Sequence, residues 1–154
     1  MNISPELINK LMHEALTQAS LAAAASEVPV GAVIAHQTEI IAAAHNTTER
    51  DRRVTSHAEL NAISQATAKL GNWRLAECVM CVTLEPCTMC LGAIRLARIP
   101  VLVFGAGDSK QGAVGSLYDL SQDDRLGPPT RVISGIEQLK CEKILRDFFQ
   151  TRRC

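Results

Sequence analysis

His57, Glu59, Cys87 and Cys90 are the residues of this chain whose types and spacing can do chemistry. One imidazole and two thiolates supply three zinc ligands, one fewer than the four that close a structural tetrahedral site. The fourth position stays open for water. Glu59, two residues beyond His57, stands where it can move a proton of that water. Three ligands, an open position and an adjacent carboxylate describe a hydrolytic metal site.

The predicted elements support this grouping. Cys87 and Cys90 fall where a strand gives way to a helix. Free amides and partial positive charge at a helix start favour the thiolate that zinc needs. Three-residue spacing on a first turn brings both sulfurs to one side. His57 and Glu59 also open a helix, so two helix starts facing each other would assemble the site. A lone C-x-x-C is as often a buried or redox pair. The added H-x-E, and Pro86 directly before Cys87, favour the catalytic metal. The order H-x-E…P-C-x-x-C matches the established signature of zinc nucleobase deaminases, a match to a known pattern rather than a derivation.

A rival arrangement is Cys78-x-x-Cys81 ahead of Cys87-x-x-Cys90. Cys78 and Cys81 lie in a predicted strand, where positions three apart face opposite ways. The intervening gap also misses the usual ribbon and ferredoxin spacings. Cys78, Cys81, Cys141 and Cys154 are therefore read as non-ligands. His13 reads as surface, His36 as part of a turn, and His45 as a structural residue ending a strand.

The positioning elements follow from pattern. Ser4-Pro5-Glu6 starts a helix that runs to about Ser26. Strands at 32–35 and 39–44 form a hairpin around His36-Gln37-Thr38. Residues 45–56 are polar and read as a loop. A second helix spans 57–70 and stops at Gly71. A strand at 79–84 is buried on both faces. A helix at 88–98, a strand at 101–104, a glycine-rich loop, a strand at 131–134 and a helix at 137–153 complete the chain. Helices interleave with strands, so the expected fold is α/β, one sheet with helices on both faces. The hairpin is antiparallel, and the remaining connections favour parallel pairing.

The 154 residues read as one domain, 1–154, with one sizeable core. Apolar residues make up 47% and charged residues 21%, which excludes a disordered chain. Sixteen basic and sixteen acidic residues cancel, so any attraction for nucleic acid must be local. No apolar run is long enough to span a bilayer. Leu21–Ala25 looks like the small-residue end of a signal peptide, but His13, Glu14 and Gln18 interrupt the apolar core this needs. Six cysteines then favour a metal and buried thiols over disulfides, and the expected localisation is cytoplasmic.

Nearly the whole chain resembles the bacterial tRNA-specific adenosine deaminases of the cytidine deaminase superfamily. The resemblance is carried by Val28-Pro29-Val30-Gly31-Ala32-Val33, His45-Asn46, His57-Ala58-Glu59, Thr83 through Cys90, Gly92-Ala93, Phe104-Gly105-Ala106 with Asp108, Gly115-Ser116, and Asp147-Phe148-Phe149 through Arg152-Arg153. The zinc core is common to the superfamily. The Gly-Ala-x-Asp loop and the Phe-Phe-x-x-Arg-Arg tail are more specific to the tRNA enzymes. The resemblance implies a three-layer α-β-α fold of cytidine-deaminase type, whose five-stranded mixed sheet has strands four and five parallel. It also implies a homodimer, and conversion of adenosine to inosine at the wobble position of a tRNA anticodon. No further protein partner is evident. Two positions depart from the family pattern. Arg53-Val54-Thr55-Ser56 stands where Asp-Pro-Thr-Ala is common, which bears on the stiffness of a substrate-facing loop. Gly107 stands where a larger residue is common, which bears on local substrate contacts.

In this reading zinc sits on His57, Cys87 and Cys90, and Glu59 is the acid/base. Asn46 reads the ring edge, Val30 packs on the base, and Pro86 borders the substrate. Asp108 accepts from a sugar hydroxyl or base edge. Phe149, beside Phe148, offers a stacking surface, and Arg152 and Arg153 meet phosphate. Arg50-Asp51-Arg52-Arg53 and Lys110 are further basic positions, which read equally well as a solvated face. The alternatives are deamination of guanine or another free nucleobase or nucleoside, and a non-catalytic RNA-binding subunit. The basic, aromatic tail disfavours the first. The presence of Glu59 disfavours the second.

Overall fold

The computed structural model describes residues 1–152. Ser4 caps the first helix, its Oγ accepting from Leu7 N at 3.1 Å, and Pro5 occupies the first turn where its missing N–H costs nothing. Helix α1 spans Pro5–Ala24. Strands β1 (Gly31–His36) and β2 (Glu39–His45) form the hairpin, with Gln37 left-handed in the turn. A one-turn helix α2 (Thr48–Asp51) precedes α3 (Ala58–Leu70), which Gly71 ends at φ 63°. Then come β3 (Cys78–Leu84), α4 (Thr88–Leu96), β4 (Val101–Ala106), β5 (Arg131–Ile133) and α5 (Gln138–Gln150).

Among the described residues, these strands make one five-stranded mixed sheet in the order β2-β1-β3-β4-β5. Alternation along each strand feeds two cores. Ile34, Met80, Val82 and Leu102 face α3 and α4, whereas Val33, Val79, Cys81 and Val103 face α1 and α5. The result is the expected three-layer fold. Leu11 and Met12 of α1 are fully buried, each stabilising by roughly 1.5–3 kcal/mol. Among the described residues no helix is long and apolar enough to cross a membrane.

Three expectations need correction. Connection lengths favoured parallel pairing beyond the hairpin, and β3–β4 and β4–β5 are indeed parallel, but β3 pairs antiparallel with β1. Because β2 and β3 both run antiparallel to β1, they run parallel to each other. The β2–α3–β3 crossover therefore obeys the rule, but it passes over β1 and lands on that strand's far edge. The segment 45–56 was expected to be a loop, yet it contains α2. Its free N–H groups are capped by a carboxylate from far away: Glu27, only 1% exposed, accepts from Glu49 N at 2.8 Å and Arg50 N at 3.3 Å. The third and last predicted helices end earlier than expected, at Leu96 and Gln150. Arg98 is left-handed, and Arg153 lies outside the described residues, as does Cys154.

β1 lies so close to α1 that a Cβ at Gly31 would collide with the Ala15 carbonyl and stand 2.6 Å from Ala19 N. These are backbone atoms and cannot rotate away. Gly31→Ala is expected to destabilise the fold by about 2 kcal/mol or more, read as a lower urea midpoint. An unchanged midpoint would mean that the two elements separate freely.

Candidate active site

The local reasons for the site are two helix starts. His57 is the N-cap residue of α3 and Cys87 that of α4, both with extended backbone, and neither side chain caps its own helix. Their side chains are thus free to converge. His57 Nδ1 lies 3.4 Å from Cys90 Sγ and 3.8 Å from Cys87 Sγ. Donor atoms of all three lie within 4.8 Å of one another. Zn–N and Zn–S bonds of about 2.0 and 2.3 Å at tetrahedral angles place N and S about 3.5 Å apart. Donor chemistry and spacing therefore both fit zinc.

Proton affinities follow from the same contacts. The Cys90 thiol, by hydrogen bonding, draws the Cys87 thiol down to about 4, and the bond to Cys87 raises His57. Cys90 is raised by donating to Cys87 and by burial. A divalent cation would take the place of the shared proton. Glu59 is 4% exposed, and burial raises its carboxyl above the usual range. By contrast, burial pushes Cys81 above its ordinary value, and Cys78 and Cys141 up to about 11. Cys78 and Cys81 point into opposite cores, as the strand period required.

The donors open into a cleft of about 630 Å³. Val30, Asn46, Glu59, Asp108, Phe149 and Arg152 all contribute to its walls. Asn46 is held from both ends: Nδ2 donates to Val28 O, and Oδ1 accepts from Thr48 Oγ1 at 2.6 Å. Asp108 Oδ1 accepts from Lys110 N at 2.9 Å and from Gln111 N. Phe149 is 46% exposed, with Phe148 beneath it in edge-to-face contact. Arg152 stacks on Phe148 at 4.2 Å and donates to Ser26 O at 2.8 Å, so α5 is tied to the end of α1. Pro86 is buried and does not line the cleft; its carbonyl accepts from Ala113 N. Lys110 reaches the wall, whereas Arg50 pairs with Asp51 at 2.9 Å and α2 presents Thr48 and Glu49 instead. Val54 is exposed, and the loop lacking the family's proline is held by Thr47 N to Ser56 O and by Asn61 Nδ2 to Ser56 O. His13 is exposed, and His36 ends β1 against Glu77 at 3.1 Å.

Two carboxylates had no role in the sequence reading. Glu27 caps α2 beneath one wall. Glu85, 3% exposed, accepts from Asp108 N at 2.9 Å, Val114 N at 2.9 Å, Ser116 N at 3.0 Å and the Ser116 hydroxyl beneath the other. Glu85 stood inside a quoted motif, but nothing in its neighbours announced these distant donors.

A His-Cys-Cys donor set that could hold a metal, beside a buried carboxylate on a mixed sheet between two helical layers, is the arrangement of a hydrolase of α-β-α architecture. The model of the MafB19-like deaminases matches residues 8–153, and the chain belongs to this deaminase family. It is 43% identical to the tRNA-specific adenosine deaminase of Streptococcus pyogenes serotype M1, over 92% of this chain and 83% of that protein. It is 44% identical to the tRNA-specific adenosine deaminase of Bacillus subtilis, over 92% of this chain and 88% of that protein. A solved structure from work on A-to-I editing by tRNA:A34 deaminases superimposes with a TM-score of 0.86 at 40% identity, covering 88% of this chain and 99% of that one. The guanine deaminase of Nitrosomonas europaea shares the fold, at 24% identity and a TM-score of 0.79, over 96% of this chain and 86% of that one.

Proposed function

We propose that this chain hydrolytically deaminates adenosine to inosine at the wobble position of a tRNA anticodon. The observation that carries the reading is the identity of 43% to a tRNA-specific adenosine deaminase over nearly the whole chain, against 24% to a guanine deaminase of the same fold. His57, Cys87 and Cys90 would hold zinc, which when bound supplies the Lewis acidity that makes water a nucleophile at neutral pH. Glu59 takes a proton from the attacking water and delivers it to the purine ring nitrogen. The water oxygen bonds to C6. Glu59 next moves the remaining hydroxyl proton to the exocyclic amine. The C6–N bond then breaks and ammonia leaves. The buried setting of Glu59 keeps bulk water from competing for these protons.

Val30 packs against the base, and Asn46, fixed by its two partners, turns its amide toward the ring edge. Pro86 shapes the site from behind by stiffening the entry to Cys87. Asp108 retains one carboxylate oxygen for a sugar hydroxyl or base edge, since only Oδ1 serves its own loop. Phe149 offers an exposed ring for a neighbouring base, and Arg152 and Arg153 supply positive charge to phosphate. A flipped base is cheapest to present from the single-stranded anticodon loop. The enzyme acts as a homodimer in the cytoplasm, a location consistent with the free thiols of Cys78, Cys81 and Cys141.

Incubation of the zinc-loaded protein with total tRNA, with inosine mapped in anticodon loops, tests the reading. Free guanine, cytidine and adenosine run beside it. Wobble inosine with the free compounds untouched is expected. Turnover of guanine with tRNA unchanged would replace this reading with the small-molecule one. The double change Arg152→Ala and Arg153→Ala is expected to weaken tRNA binding and flatten its salt slope by about one unit per lost phosphate contact, with zinc retained. A salt slope equal to that of the wild type would remove both arginines from the RNA surface.

A further inference from the structure

The cleft has one wall made of a loop with no regular structure. Gly107, Asp108, Ser109, Lys110 and Gln111 all line it. Beside its own turn bonds and the Ala113 N to Pro86 O bond, one side chain ties both ends of that loop together. Both oxygens of the buried Glu85 carboxylate are used: Oε2 by Asp108 N and the Ser116 hydroxyl, Oε1 by Val114 N and Ser116 N. The two ends of the loop are thereby closed onto one point. Gly112 completes the fit, because a Cβ there would meet the Glu85 carboxylate and stand 2.6 Å from Asp108 O. Glu85 itself is anchored by its backbone N–H to Ala106 O at 2.8 Å, and Ala113 N donates to Pro86 O at 2.9 Å. Two residues further on is the donor Cys87.

We propose that Glu85 is a positioning residue: its carboxylate locks segment 107–116 to the strand end that carries the metal donors, so that Asp108 and Lys110 stand in register with a substrate over His57, Cys87 and Cys90. The proposal rests on the tRNA deaminase reading for the identity of that substrate. A loop of this length, left free, samples many conformations, and the substrate would bear the ordering cost on binding. One carboxylate receiving four donors removes that cost in advance. Glu85 borders the cleft, but it is 3% exposed and its carboxylate is taken up by the loop, so in this scheme it touches neither substrate nor the reacting atoms. Its loss should therefore appear as weaker substrate capture, with the chemical step little altered.

Glu85→Gln tests this with nearly unchanged shape. A carboxamide offers one acceptor oxygen, so its NH2 must face at least one backbone N–H that now has no partner. In the zinc-loaded variant, amide exchange across 107–116 is expected to accelerate by about ten-fold or more. KM for an anticodon stem-loop is expected to rise about ten-fold, with kcat within about three-fold of the wild type and zinc content unchanged. Ser116→Ala, which deletes one donor and leaves the carboxylate, should move exchange and KM the same way by a smaller factor. It decides alone if Glu85→Gln does not fold. Unaltered exchange overturns the hold of Glu85 on the loop. Accelerated exchange with unaltered KM, or activity lost in proportion to zinc, overturns its role in substrate positioning. The wild type assayed in parallel separates the two readings: absence of inosine there is a failure of the tRNA assignment, whereas the exchange result in the free protein stands independently of any substrate.

Discussion

Glu59→Ala is expected to lower turnover of the zinc-loaded protein by about 10³-fold or more, within the range that a positioned acid/base contributes. The reason is geometric. Glu59 occupies the first turn of α3, two residues after His57, is 4% exposed and lines the cleft into which the metal donors open. Because it is not one of the three convergent donors, zinc content should stay near one per chain. Thermal stability should hold or rise, since burying a carboxyl costs free energy that Ala does not. Single-turnover inosine formation, measured beside metal content, checks this. Deamination at more than about a tenth of the wild-type rate would show that another group moves the proton.

Loss of a donor should have a different signature. Cys87→Ala is expected to weaken zinc binding by more than about 100-fold, the upper range for altering only an outer partner of a ligand. Activity and metal should fall together. Cys81→Ala is the matched control: it removes a sulfur from the opposite side of the sheet, where Cys81 packs with Val79 and Val103. It should cost about 1 kcal/mol of stability while zinc remains. Metal analysis of both purified variants decides the assignment. An empty site in Cys81→Ala with a full one in Cys87→Ala would reverse it.

Much of the site was legible because its spacing is local. An N-cap His two residues from a Glu, and two Cys three apart on a first turn, produce their geometry from helix periodicity alone. Strand period likewise separated Cys78 from Cys81. The deaminase resemblance extended this to the fold, and the three-layer sheet is as it implied. The tail was legible as composition but not as geometry. Phe149 and Arg152 do reach the cleft, yet Arg152 is committed to Ser26 O and the Phe148 ring, partners 126 and four positions away.

The amino-acid order by itself marked the regular elements other than α2, and the spacings of His57 with Glu59 and of Cys87 with Cys90, since each depends on contacts within one turn or one strand. Only the tertiary structure decided what pairs across the chain. It placed β1 between β2 and β3, a choice that connection length does not specify because a crossover can land on either side of a strand. It made a helix of Thr48–Asp51 by bringing the Glu27 carboxylate from 22 residues away. It buried Pro86 with its carbonyl accepting from Ala113 N, and it gathered four donors onto Glu85 from up to 31 residues further along. A buried carboxylate finds its partners by where the sheet ends and loops converge, and no local pattern encodes that distance.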